Sequence, residues 1–234
     1  MSIEVPGNFL DLVQRTRLEC GVSGTGPSAV AGQIGEAQRL VAWVSTAWMK
    51  IQTKHLDWGF KRLSASFATV NGQATYTTAQ AGIAANTFGQ WIRDTFRNYD
   101  TVAGLTSEVF MDYMEYDAWR NNYLYGALRD TRTRPVVVTI APDKSLGLGP
   151  VPNAAYTVTG DYFKRAIAMV SDTDVPDGLP AQFNMVIVYQ AMQYYALYES
   201  APEVYQHGQL EYNKLMAELE ADRLPEVRFT GALM

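Results

Sequence analysis

The step Pro150-Val151-Pro152 constrains the fold of this chain more tightly than any other stretch of it. Two prolines around one residue remove two backbone donors and fix φ twice, so the chain must cross there in extended form. On the N-terminal side, Arg134-Pro135-Val136-Val137-Val138-Thr139-Ile140 is a β-branched run suited to a half-buried strand, its proline placed for a strand start or sheet edge. Ala141-Pro142-Asp143-Lys144-Ser145 reads as a hairpin-like turn into Leu146–Gly149. On the C-terminal side, Tyr156, Val158, Gly160 and Tyr162 alternate with Thr157, Thr159, Asp161 and Phe163, a period of two that predicts a strand with one firm and one weaker face.

Elsewhere the apolar period is helical. Asn8 to Glu19 reads as a capped helix with Leu12, Val13 and Thr16 inward, ended by the glycine-rich stretch Gly21 to Pro27. Leu40, Trp43, Val44, Ala47, Trp48 and Ile51 form one stripe, with Gln38, Arg39, Gln52 and Lys54 on the wet side. Phe183 to Glu199 is apolar nearly all round, which predicts a helix buried centrally or shared between subunits. A last helix, Gln209 to Arg223, sets Tyr212, Leu215, Met216 and Leu219 against Glu211, Lys214 and Glu218.

Between these helices lie further β signals. Asn71-Gly72 is a two-residue hairpin signal and predicts pairing of Ser64–Val70 with Gln73–Thr77. Trp91 to Tyr99 alternates aromatics with Arg93 and Arg97, but Asp94 and Asp100 dilute the charge and favour a solvated strand face over a single-strand reader. Ser107 reads as the start of a helix that carries Asp112, Glu115 and Asp117 as an acidic face. The expected class is α+β: a mainly α helical bundle with an inserted antiparallel β region and an extended C-terminal tail. Residues 1–60 and 183–224, together with 105–128, form the helical body; 61–104 and 131–170 are β-rich insertions; 225–234 is the tail.

The residue types that carry chemistry are sparse. Cys20 is the only cysteine and His55 and His207 the only histidines, which excludes an internal disulfide and argues against structural zinc. The Gly21–Pro27 loop lacks the Gly-Lys-Ser/Thr end of a phosphate loop and follows a helix where that motif needs a strand. His55 and Asp57 lack a third partner for acid–base work, and Asp112, Glu115 and Asp117 would need burial to split their pKa values. The chain is therefore read as no enzyme, with no catalytic residue, metal or cofactor. No run approaches the roughly 18 apolar residues of a membrane span, and Met1 to Pro6 has no signal-peptide pattern, so the product is expected in the cytoplasm of its maker. The net charge of −5 weighs against a general nucleic-acid binder.

Arg134-Pro135, Gly149-Pro150-Val151-Pro152, Tyr156-Thr157-Val158-Thr159-Gly160-Asp161-Tyr162-Phe163, Asp177-Gly178-Leu179-Pro180 and then a tyrosine-rich helix form an ordered series. In order and spacing, from about Asn8 to Leu224, the chain resembles the tailed-bacteriophage head-to-tail adaptor proteins, also called connector or head-completion proteins. The resemblance implies a structural virion protein of the neck, made in the host cytoplasm. It would form a homo-oligomeric ring, usually of twelve copies, under the portal protein and extend the channel for genomic DNA without sequence-specific binding. The partners implied are the portal, tail or neck proteins and further copies of the chain, with no membrane. A more distal stopper is the alternative, and a carbohydrate- or nucleic-acid-binding module a weaker one. In this setting Val227, Arg228, Phe229, Leu233 and Met234 are candidate portal-docking residues, because Val227 and Phe229 alternate as strand addition requires. Arg129, Arg132 and Arg134 of a basic loop, with Asp112 and Glu115 of the acidic face, are candidate inter-subunit contacts.

Overall fold

The computed structural model describes residues 6–225, and its class is α+β. Two compact units divide the chain: residues up to Phe60 together with those from Ala166 onward, and Lys61–Arg165.

The first unit is helical. Its α1 (Phe9–Glu19) begins at Asn8, whose side chain accepts from the Asp11 N–H at 2.9 Å while the Asp11 carboxylate accepts from the Asn8 N–H at 3.3 Å. This reciprocal box satisfies two donors that a bare helix end leaves open. In α2 (Gly35–Lys54) the stripe Leu40, Val44, Ala47, Trp48 and Ile51 is buried, as the spacing requires, with Trp43 at its half-buried margin. Central to the unit is α4 (Met185–Glu199), which buries Val186, Ile187, Val188, Ala191 and Met192 against its neighbours, and α5 (Pro202–Arg223) lies along it. Gly208 permits that approach: a Cβ there would stand 3.2 Å from the Tyr189 carbonyl oxygen.

One assignment on α2 reverses. Gln52, expected on the wet side, is buried; its amide donates to the Ile167 carbonyl at 2.9 Å and its oxygen accepts from the Ile167 N–H at 3.1 Å. A glutamine matches both backbone groups of one residue, so burial at this spot satisfies polar atoms that an aliphatic residue would orphan.

The second unit is β-rich. Seven-residue β1 (Arg62–Ala68) pairs antiparallel along its length with β9 (Tyr156–Lys164), from Arg62↔Phe163 to Ala68↔Thr157. The far side of β9 pairs with β3 (Phe88–Trp91) and β4 (Arg97–Asp100), and β4 pairs with the short β5 (Val109–Phe110). A second sheet runs β2 (Thr75–Tyr76), β8 (Leu146–Gly149), β7 (Val137–Ile140) and β6 (Asp112–Tyr113), with β6 and β7 parallel. Ala141–Ser145 is the expected turn of the β7–β8 hairpin, closed by the Ala141 N–H on the Ser145 carbonyl at 2.9 Å. Phe67, Tyr76, Trp91, Phe96, Met111, Leu146, Leu148 and Val158 form a core that draws on both sheets.

Two local expectations fail here. The Asn71-Gly72 turn does not join a hairpin, since β1 enters the first sheet and β2 the second. A two-residue type I′ loop needs positive φ at both central residues, and only Gly72 has it, at 82°. The helix expected from Ser107 is also absent. Gly104–Ser107 is a 3-10 turn, β5 and β6 follow, and only α3 (Tyr116–Trp119) is α-helical. Met111, Asp112 and Met114 donate instead to the carbonyls of Phe96, Val136 and Val138, because β-forming side chains there find sheet partners far along the chain. Residues 105–128 thus lie in the β-rich unit and not in the helical body.

The alternation Leu146-Gly147-Leu148-Gly149 gives β8 two unlike faces. Both leucines enter the core, while Trp119 and Tyr123 lie flat over the glycines; a Cβ on Gly147 would stand 2.7 Å from the Trp119 ring and from Thr139 Cγ2. Gly147→Val should lower the stability of the β unit by about 2 kcal/mol or more through overpacking, read as a fall in the urea midpoint. Equal midpoints for the variant and the parent would show that the ring can move aside.

Candidate interaction surfaces

Arg134 reaches three acceptors. Its Nε donates to Asn98 Oδ1 at 2.7 Å, and its Nη2 donates to the carbonyls of Asn98 at 2.7 Å and Ser107 at 2.5 Å. Asn98, fully buried, in turn donates to the Pro135 carbonyl at 2.7 Å. These bonds fasten both ends of an excursion from Asp100 to Ser107. Within it the Asp100 carboxylate accepts from the N–H groups of Val102 at 2.8 Å and Ala103 at 3.0 Å, and the Asp100 N–H donates to Ser107 Oγ at 3.0 Å. The bonds from Ala103 and then Val102 hold the Asp100 carboxyl below the usual carboxylate range. Within the unit, three acceptors converge on the Arg134 guanidinium.

The other candidate charges separate by role. Arg132 is exposed, lies over Gly72 and has no ion pair among the described residues, while Arg129 has only its neighbour Asp130, at 3.4 Å. Glu115 pairs with Arg93 at 3.3 Å and accepts from the Tyr113 hydroxyl at 3.3 Å. Asp112 is on β6 and Asp117 in α3, so no single helix carries an acidic face. Val227, Arg228, Phe229, Leu233 and Met234 lie outside the described residues.

The histidine that lacked a partner has one. His55 Nε2 is 2.9 Å from Glu220 Oε1, and Lys54 Nζ is 2.8 Å from the same oxygen. Burial works to raise the Glu220 carboxyl, but hydrogen bonds from Lys54 and His55 outweigh it, and the net shift is downward. Cys20 caps the end of α1, where burial, with Glu19 and Glu36 adding to it, pushes the thiol up to about 12. A thiol held protonated is a poor nucleophile. Among the described residues no group of three or more His, Cys, Asp or Glu side chains could hold a metal ion, and no helix is long and apolar enough to cross a membrane.

Each unit also carries open surface features. A polar groove of about 550 Å³ on the first sheet is lined by Arg62, Ser64, Arg97, Thr159 and Asp161; there Asp161 accepts from Arg62 Nε at 2.8 Å and Ser64 Oγ at 2.7 Å. An apolar cleft of about 400 Å³ lies where α4 turns into α5, lined by Ala196, Leu197, Ala201, Pro202 and Tyr205. The weaker face of β9, with Thr157, Thr159 and Asp161, pointed to the groove; nothing in the helical period signalled the cleft.

Fastened loops, open sheet faces and loose surface charges suit a structural protein that works by docking to others. The family comparison gives this class a definite form: the model of the SU10 adaptor protein matches residues 7–232. The chain belongs to this family of phage head-to-tail adaptors, as the sequence resemblance implied. No curated protein sequence gives a significant match.

The two arginines should respond differently to removal. Arg134→Ala is expected to cost about 3 kcal/mol, from hydrogen bonds to a charged donor and orphaned carbonyls, whereas Arg132→Ala should stay within about 0.5 kcal/mol of the parent; urea denaturation distinguishes them. Glu220→Gln should cost about 0.5–1 kcal/mol at neutral pH. Because the folded carboxyl sits below its unfolded value, that difference is present above the unfolded pKa and is lost as pH falls through the folded one. A difference that instead grew on acidification would remove Glu220 from this role.

Proposed function

We propose that the protein forms a homo-oligomeric ring beneath the portal, joins the capsid to the tail and extends the channel through which the genome passes. The match of the SU10 adaptor protein family over residues 7–232 carries this reading, since it spans both units and not a shared subdomain alone. A net charge of −5 supports it, because an acidic wall repels the duplex and lets it slide. The ring has twelve copies in this reading and lies in the virion neck. Val227, Arg228, Phe229, Leu233 and Met234 dock the C-terminal segment on the portal by adding a strand to it. The chain acts by contact and carries out no catalysis.

Native mass, measured for the full chain alone and mixed with the portal ring encoded by the same genome, tests the reading. A single chain in isolation and a complete ring on the portal are expected. Deleting Pro225–Met234 should leave the urea midpoint unchanged and abolish portal binding; association that survives the deletion removes the docking role of this segment. A full chain that ignores the portal at every ratio belongs further down the neck.

A further inference from the structure

The Asp100–Ser107 excursion is unusual for a surface loop. Its backbone is tied down by Arg134, Asp100 and Ser107, yet Val102 is 97% exposed and Leu105 70%. Neighbouring segments share the same anchorage. Thr101 donates to the Ala155 carbonyl at 2.9 Å, Thr69 to the Ala154 carbonyl at 3.0 Å and Gly72 to the Pro152 carbonyl at 2.9 Å, and Arg132 bridges to Val151. Val70, 57% exposed, and Arg132, which has no ion pair among the described residues, therefore belong to the same end of the β unit. This end is a preorganised apolar tip with a cation beside it. Apolar side chains on an already ordered loop lose little entropy on docking, which is what a binding knob needs.

The same chain carries a matching socket. At the α4–α5 turn, Ser200 in the left-handed conformation (φ 54°) reverses the chain and opens the cleft, with Leu197 69% exposed on its wall. Its roughly 400 Å³ is lined mainly by apolar side chains. Glu199 and Glu203 stand exposed on either side of the turn, and neither has an ion pair among the described residues. Knob and socket are thus both apolar, and Arg132 beside the one and Glu199 beside the other offer an opposite pair of charges.

We propose that the tip of the β unit, Val102 and Leu105 with Arg132, seats in the α4–α5 cleft of a neighbouring copy, against Leu197, Pro202 and Tyr205, with Glu199 facing Arg132. The occupant is a second copy of this chain, because both complementary patches occur on every copy. A contact between two unlike patches of identical chains is heterologous, the kind whose repetition closes a ring when its rotation divides a full turn. The inference rests on the ring reading above and names the surfaces that make it.

The test is assembly of full-length protein on the portal ring, followed by native mass and by cross-linking of a Leu105→Cys, Leu197→Cys double variant under mild oxidation. Cys20 stays silent, being buried with its thiol held protonated. A ladder of covalent multimers is expected on denaturing gels. Arg132→Glu and Glu199→Arg should each weaken assembly roughly tenfold, and the pair combined should restore it. These positions are exposed, and unchanged thermal midpoints confirm that the variants fold. Normal assembly with no cross-link and no effect of either reversal overturns this contact and leaves the ring standing. Parent protein that forms no ring overturns both.

Discussion

The hydrogen bonds between Gln52 and Ile167 close a gap on which the whole helical unit depends. The unit is built from two pieces of chain with the entire β unit between them, and the second piece starts with a segment that has no regular structure of its own. Its backbone must find partners, and the first piece supplies them. Gln52 takes both groups of Ile167, Ser45 donates to the Met169 carbonyl at 3.2 Å, and the Val30 N–H is met by the Asp172 carboxylate at 2.6 Å. Anchoring this segment leads the chain to α4, where Val186, Ile187, Val188, Ala191 and Met192 are buried.

The β unit is organised by the same logic on a smaller scale. Arg134 joins strand β4, the Ser107 turn and the start of the β7 segment, which lie far apart in sequence. Its charge serves internal order, whereas the exposed Arg132 two residues away has none of these partners. An adaptor requires both kinds of charge: some to hold a loop in one shape, others left open for the molecule it meets. The separation is visible only from the acceptors around each guanidinium.

This explains which parts were legible in the sequence. Local signals carried through where local physics decides: the Asn8 cap, the stripe on α2, the alternation of β9 and the β7–β8 turn all depend on residues near one another. The misreadings share a cause. Asn71-Gly72 offered a hairpin, but β1 had a longer partner in β9, which supplies seven paired residues. The run after Ser107 has helical spacing for its acids, yet its backbone is claimed by Phe96, Val136 and Val138. Gln52 looked like a surface residue because its partner Ile167 lies on a distant segment. The candidate site was the least legible part, since an interaction surface is defined by what stays unpaired after folding, and that is known only once every pairing is known.

The discontinuity of the helical unit also sets an order of events during synthesis. Residues of α1 and α2 emerge first but cannot bury Val44, Trp48 or Ile51 until α4 has left the ribosome, whereas the β unit is continuous and is complete before then. Domains fold as units as the nascent chain lengthens, so the continuous β unit is ready to fold before the discontinuous helical unit has all its parts. The amphipathic stripe of α2 stays open to water, or to a chaperone, while all of Lys61–Arg165 is translated.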